Sequence, residues 1–500
     1  MRKHRSLMVV GTASGVGKSA TVTALCRIFQ KDGYRVCPFK SQNMALNSYV
    51  TKDGKEMGRA QAVQAEAIGL EPQAWMNPIL LKPSNDKKIQ VIIEGKSFGN
   101  LTGPEYHKYK QNFIPRLQEI YHRIEKHYDI SVIEGAGSPA EINMLEEDIS
   151  NFGMARIADA PVLLVADIDK GGVFASIYGT IMLLEEKDRR RIKGIIINKF
   201  RGNVEVLKPG LEKIETLTGV PVLGVMPYSD FDLEEEDSLS EKYKKKNSKK
   251  ISIRIGVVQL RHLSNMTDFD ALRRLEEVDL HFISKVEEIE GEDIIILPGS
   301  KNTIEDYLEI EKKGIVHKLR EEVKKGTMII GICGGFQMLG SRIEDPYEIE
   351  SEAGSVEACG FLEMNTILEK DKNLLQYQGS FQFGKDCLEK MNGVSVKGYE
   401  IHQGVSISEM RDAMGEDRLI SLAKGRVWGS YLHGIFDNTE FLNRLLEEFR
   451  QKKNLEGSLQ DYQEYREEQW EKLEQLYRKH LDISRIYKIM NEFEKGQEKK

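Results

Sequence analysis

Cysteine is scarce in this chain. Its 500 residues hold five, Cys26, Cys37, Cys333, Cys359 and Cys387, scattered, odd in number and without metal-ligand spacing. That excludes a disulfide framework and argues for a reducing compartment in which each thiol is structural or catalytic. Long apolar runs are lacking too, and nothing approaches the roughly 20 residues that a membrane span requires. The basic start, Met1-Arg2-Lys3-His4-Arg5, leads only to a short apolar run with no small-residue cleavage site, so no secretory signal is read. Excess positive charge is also missing. A net charge of −7 argues against nucleic acid as the partner, because phosphate backbones demand clustered cations. The one basic run, Lys244-Lys245-Lys246-Asn247-Ser248-Lys249-Lys250, reads as solvated linker. A cytoplasmic protein is expected, with neither nucleic acid nor membrane as its partner.

Charged residues at 30% and hydrophobic ones at 40% fit a globular protein, and the length is too great for one ordinary core. The most informative stretch is Gly11-Thr12-Ala13-Ser14-Gly15-Val16-Gly17-Lys18-Ser19. The apolar run Leu7-Met8-Val9-Val10 precedes it and a helical pattern follows from Ala20. Strand, glycine-rich turn and helix is the context of a phosphate-binding loop, in which backbone N–H groups face the phosphates. Gly11, Gly15 and Gly17 would shape the loop, Lys18 would reach the β- and γ-phosphates, and the Ser19 hydroxyl would ligate Mg²⁺. Five residues separate Gly11 from Gly17, one more than the common pattern. Ala13 stands where the partition-type ATPase switches carry an extra lysine, which weakens that reading without excluding it.

Up to about residue 228, short Val/Ile-rich runs alternate with helical patterns. Strands are expected at 7–10, 35–38, 91–94, 130–134, 162–167, 194–198 and 222–226, with helices at 20–30, 59–68 and 106–126. Such alternation predicts a mostly parallel, doubly wound α/β sheet, with ligands at the carboxyl ends of its strands. Polar residues gather at those ends. Lys40-Ser41-Gln42-Asn43-Met44-Ala45-Leu46-Asn47-Ser48 is rich in amides for a connection and is a candidate substrate loop. Glu134 ends a buried strand and is a candidate second Mg²⁺ ligand. Asp167-Ile168-Asp169 repeats the arrangement. Asn198 could read a nucleotide base or stabilise a turn.

From Ser229 to Lys250 the chain turns acidic and then basic, and apolar periodicity is lost, so a linker is expected there. A second α/β pattern follows, with strands at 253–258, 278–283, 294–297 and 328–332. The last runs into Gly331-Ile332-Cys333-Gly334-Gly335-Phe336-Gln337, the pattern of a nucleophile elbow on a tight strand-to-helix turn. There the N–H of Gly334 would stabilise an oxyanion, and that of Gly299, in Pro298-Gly299-Ser300, would complete the hole. A late strand leads to His433, the candidate base for the Cys333 thiol. His402 is assigned no direct chemistry. From Phe441 onward the chain is helical and charged, with Trp470, Leu473, Leu476 and Tyr477 at helical spacing, a face for packing on the body or on another subunit. The expected domains are 1–228, a linker at 229–250, 251–441, and a helical extension at 442–500.

With these residues in hand, the chain resembles the cobyric acid synthase family of glutamine-dependent corrinoid amidotransferases. The likeness is carried in order by 11–19, 39–48, 134–143, 167–174, 198–202, 298–303, 331–340, 398–402 and 431–438. It implies a dethiobiotin synthetase-like phosphate-loop domain and a class I glutamine amidotransferase-like domain. It further implies ATP and Mg²⁺ as cofactors, glutamine and adenosylcobyrinic acid a,c-diamide as substrates, and amidation of carboxylates b, d, e and g. Cys333 then matches the nucleophile and His433 the base. Ile435 occupies the place where many class I enzymes carry a glutamate two residues after the histidine, so a Cys–His pair is what the resemblance supports. Two alternatives stay open: the a,c-diamide synthase of the same plan, and an ATP-dependent switch or scaffold with an inactive amidotransferase domain.

Overall fold

A computed structural model describes residues 3–83, 88–229, 231–232, 252–351, 353–382, 388–410, 412–416, 418–457 and 460–495. Cys387, the basic run at 244–250 and most of the expected linker at 229–250 lie outside the described residues. The chain divides into two compact units, one of Met1–Ala45, Met57–Glu234 and Tyr465–Lys500, the other of Leu46–Glu56 and Glu235–Glu464.

In the first unit β1 (Arg5–Gly11), β2 (Val36–Phe39), β3 (Ile130–Glu134), β4 (Val162–Asp167), β5 (Ile192–Phe200) and β6 (Val222–Pro227) form one sheet in the order β6-β5-β4-β1-β3-β2. Every pairing in it is parallel. Alternation along each strand sends side chains to opposite faces. Leu7 and Val9 join Val22, Leu25 and Phe29 of the helix Lys18–Lys31 on one face, while Met8 and Val10 join Leu117, Ile120 and Ile124 of the helix Ile114–His127 on the other. Both faces are covered, which is why these strands read as continuous apolar runs.

Three sequence expectations change here. The 91–94 segment is a strand, but Lys88–Ile93 pairs antiparallel with Ile79–Pro83 and Lys96–Thr102, outside the parallel sheet. Glu94 and Gly95, at φ 45° and 81°, close the tight two-residue hairpin that fixes this pairing. The single helix expected at 106–126 is two, Gly103–Lys110 and Ile114–His127, with Pro115 set in the first turn of the second, where its missing N–H costs nothing. Finally, the 442–500 stretch is no separate extension. Leu473, Tyr477, Ile486 and Met490 of its helices, with Leu481 between them, complete the Leu7/Val9 face of the first unit, and the Arg27 guanidinium meets Glu467 at 2.6 Å.

In the second unit β7 (Ile253–Val258), β8 (Val278–Ile283), β9 (Ile294–Leu297), β10 (Met328–Ile332), β11 (Ser421–Lys424) and β12 (Val427–Ser430) run in the order β8-β7-β9-β10-β12-β11. Only the last pairing is antiparallel. A long hairpin, Met364–Ser380 with Ser395–Ser408, absorbs the polar stretch around His402. The expected late strand stops at Ser430, three residues before His433. The segment Leu46–Glu56 also belongs to this unit, although the chain on either side of it belongs to the first.

Candidate functional site

In the first unit the loop after β1 turns into the helix that starts at Lys18. Gly15 and Gly17 have φ of 68° and 102°, a region that side-chain-bearing residues avoid. At Gly17 a Cβ would also lie 2.1 Å from the Asn198 Nδ2. That contact explains Asn198: its Nδ2 donates to the Val16 carbonyl at 2.9 Å and its Oδ1 accepts the Lys199 N–H. As the structure places it, the side chain braces the loop. The Lys18 ammonium donates to the carbonyls of Ala13 and Gly137, each at 3.0 Å, and so bridges the loop to the chain after β3.

Glu134 stands at the end of β3, fully buried. Its Oε1 accepts from the Ser19 hydroxyl and the Lys40 ammonium, both at 2.9 Å, and its Oε2 from Gln64. Burial works against its charge, but Lys40, Gln64 and Lys18 overcome that and hold its pKa below the usual carboxylate value. The structure thus brings Gly11, Gly15, Gly17, Lys18, Ser19, Glu134 and Asn198 to one end of one sheet. Hydroxyl and carboxylate oxygens side by side are hard donors that suit Mg²⁺ completed by phosphate and water. No cluster of three or more His, Cys, Asp or Glu among the described residues offers a cation site of its own.

In the second unit Cys333 follows β10 with φ 52° and ψ −107°, a backbone conformation that costs a non-glycine residue energy and recurs at functional sites. Glycines make the turn possible: a Cβ on Gly335 would lie 1.9 Å from the Leu297 carbonyl, and one on Gly334 would lie 2.9 Å from the Ser300 N. The elbow is therefore pressed against the end of β9. Gly299 lies there beside the histidine, the site of its would-be Cβ being 3.2 Å from the His433 Cε1. Cys333, His433, Gly299 and Gly334 converge. His402, by contrast, stacks on Tyr431 and bonds Glu400, which Arg418 holds through both oxygens, a structural role.

The sequence reading missed the group that orients the histidine. Asp268 is 2% exposed; its Oδ2 lies 2.7 Å from His433 Nδ1 and its Oδ1 accepts the Gly434 N–H at 2.8 Å. Burial lowers the proton affinity of His433, yet Asp268 and Cys333 outweigh burial and raise its pKa to about 10. The carboxylate comes from upstream of the nucleophile, in Asn265-Met266-Thr267-Asp268-Phe269-Asp270, rather than from the place that Ile435 occupies. A signal was available, since this polar run follows β7 at the carboxyl edge of the sheet. Thiol, imidazole and carboxylate in this order can deprotonate the thiol, attack an amide and return the proton to the leaving ammonia.

Such a site on one α/β unit, with a glycine-rich strand–loop–helix on the other, defines a glutamine amidotransferase joined to a nucleotide-binding unit. Family comparison agrees, matching residues 7–242 to the CobQ/CobB/MinD/ParA nucleotide binding domain and residues 254–441 to the CobB/CobQ-like glutamine amidotransferase domain. The chain is 49% identical to cobyric acid synthase of Clostridium botulinum (strain Langeland) and 49% identical to that of Alkaliphilus metalliredigens, each over 97% of this chain and 99% of the relative. It is 48% identical to the Clostridium tetani enzyme over 98% of this chain and all of that one. The chain belongs to the cobyric acid synthase family. No helix among the described residues is long and apolar enough to cross a membrane.

Proposed function

We propose that this protein amidates carboxylates b, d, e and g of adenosylcobyrinic acid a,c-diamide, using glutamine as nitrogen donor and ATP as activator. The observation that carries the amidotransferase half is the His433–Asp268 contact beside a thiol on an elbow. The family relationship supports the corrinoid acceptor.

A carboxylate does not accept ammonia because oxide is a poor leaving group. Transfer of the γ-phosphoryl group from ATP to a carboxylate oxygen makes an acyl phosphate, from which ammonia displaces phosphate. Lys18 is the cation suited to the transferring phosphoryl group, and the N–H groups of the Gly11–Gly17 loop suit the phosphates behind it. Ser19 and Glu134 would hold Mg²⁺, which when bound supplies neutralisation of phosphate charge. Lys40 keeps Glu134 ionised in its buried site.

In the amidotransferase unit His433 Nε2 takes the Cys333 proton, and Asp268 on Nδ1 fixes the tautomer and stabilises the imidazolium. The thiolate attacks the side-chain amide carbon of glutamine, with the N–H groups of Gly299 and Gly334 facing the oxygen that becomes negative. His433 then protonates the leaving nitrogen, and water hydrolyses the thioester to glutamate. Mass spectrometry of the corrinoid product tests the assignment. Four added amides are expected; two on the unsubstituted polyacid would make it the a,c-diamide enzyme, and none would favour a switch or scaffold.

A further inference from the structure

A carboxylate that the mechanism leaves unused grips the loop carrying Gly299. Ser300, Lys301 and Asn302 follow that glycine and lead into the helix Thr303–Lys312. The first N–H groups of a helix find no partner inside it. Glu350 Oε2 accepts that of Thr303 at 2.6 Å, and the Glu350 carbonyl accepts from Asn302 Nδ2 at 3.0 Å. Asn302 is 1% exposed, and its Oδ1 takes the Glu305 N–H. Glu350 thus holds two consecutive residues of the loop, one by side chain and one by backbone.

Thr303 is the link to the thiol. A Cβ on Gly334 would lie 3.1 Å from the Thr303 Oγ1 and 2.9 Å from the Ser300 N. The Thr303 hydroxyl also donates to Gln337, on the helix that starts at Gly334, at 3.3 Å. The residue that Glu350 grips therefore packs on the glycine whose N–H faces the oxyanion. Glu350 is itself held in place. Buried Asp345 accepts the N–H groups of Ile349 and Glu350 at 2.8 Å and that of Ser351 at 3.0 Å. Three bonds to one carboxylate curl this segment into a fixed shape, with Glu348 at φ 52°.

We infer that Glu350 is a positioning residue for the oxyanion hole. Acting through Asn302 and Thr303, it sets the N–H groups of Gly299 and Gly334 against the oxygen of the tetrahedral adduct, where donor placement decides the rate. The inference rests on the amidotransferase function proposed above and adds a residue to it. The grip depends on pH. Burial pushes the Glu350 carboxyl up to about 7, against the Thr303 N–H and Lys301 and with the help of Asp345. An ionised carboxylate is the stronger acceptor, so the grip tightens as pH rises through about 7. The other titratable groups of this loop and helix are Glu305, Asp306 and His262, the last bonded to Asp306 at 2.9 Å. His433, at about 10, titrates well above this range.

The test uses the full-length protein. Glu350→Ala removes the side-chain grip, whereas Glu350→Gln keeps an acceptor for Thr303 without the charge. The alanine variant should lose about tenfold in glutaminase kcat, the factor that a hydrogen bond to a charged group commands. Its KM for glutamine and its ammonia-driven amidation should stay unchanged. Glutamate γ-semialdehyde probes the hole directly: the Cys333 thiolate adds to the aldehyde carbon, the aldehyde oxygen becomes the oxyanion, and nothing leaves. Its affinity should fall by the same factor. Glu350→Gln should recover kcat to within about threefold, as a neutral acceptor allows, and should lack the rise in kcat through pH 7 expected of wild type. Wild-type kcat and semialdehyde affinity in Glu350→Ala, whatever its melting temperature, overturn the inference. So does a Glu350→Gln protein that keeps the rise, which would then belong to His262; this arm decides if the alanine variant does not fold. A wild-type protein that neither hydrolyses glutamine nor binds the semialdehyde would instead refute the amidotransferase reading.

Discussion

Replacing Asp268 by asparagine tests the catalytic geometry most sharply. The exchange preserves volume and removes only the charge and the acceptor on one oxygen. His433 has an ordinary pKa of 6.5 and sits at about 10 here, with Asp268 the largest influence raising it against burial. Between three and four powers of ten in proton affinity correspond to ~4–5 kcal/mol, shared between Asp268 and Cys333. Asparagine forfeits the Asp268 share and can present an N–H to Nδ1, which favours the wrong tautomer. Together these predict a fall of ~10²–10⁴ in glutaminase kcat, the range set by removing the orienting carboxylate from a comparable triad. Glutamate release at saturating glutamine measures the loss, and ammonia-driven amidation serves as the internal control because it bypasses the thiol. The sign of the stability effect is also fixed. A histidine whose pKa is raised on folding contributes stability that is complete below about 6.5 and disappears as pH rises through about 10. The melting temperature of wild type should therefore approach that of Asp268→Asn across that window. A glutaminase loss under tenfold, or a gap that widens with pH, would refute the assignment of Asp268.

Cys333→Ala should abolish glutamine use and spare amidation from ammonia; loss of both nitrogen sources would count against a purely glutaminase role for the thiol. Lys18→Ala should stop synthesis from either source while glutaminase turnover persists, and retained ammonia-dependent synthesis would contradict its role at the phosphates. Glu134→Gln leaves the Lys40 ammonium buried without its counter-charge, so urea unfolding should show a loss of ~3–5 kcal/mol together with loss of ATP-dependent activity. Leu473→Ala removes a fully buried side chain from the face that the C-terminal helices share with the sheet, and should cost ~2–5 kcal/mol. A loss below ~1 kcal/mol would mean those helices are dispensable.

Much of the architecture is written locally. Strands covered on both faces must be apolar throughout, so Leu7–Val10, Ile130–Ile133 and Val162–Ala166 announce a parallel sheet, and the end of each strand announces where ligands gather. The glycine-rich loop and the Cys333 elbow are likewise legible, because their backbone conformations demand glycine at fixed neighbouring positions. What local pattern cannot carry is partnership across long separations. Asp268 and His433 lie 165 residues apart, and nothing in a carboxylate on a polar loop names the imidazole that it will meet. Asn198 looked equally fit to read a base or brace a turn until the fold set its amide against Val16. The Leu46–Glu56 segment reads as part of the first unit because sequence order places it there, yet its contacts assign it to the second. Sequence alone determined which backbone shapes and which chemical groups the chain possesses, since those follow from residue type and spacing of a few positions. Only the tertiary structure decided which of those groups face one another, because hydrogen bonds and ion pairs reach about 3 Å and that proximity is created by folding each unit around its own sheet, not by the order of the residues.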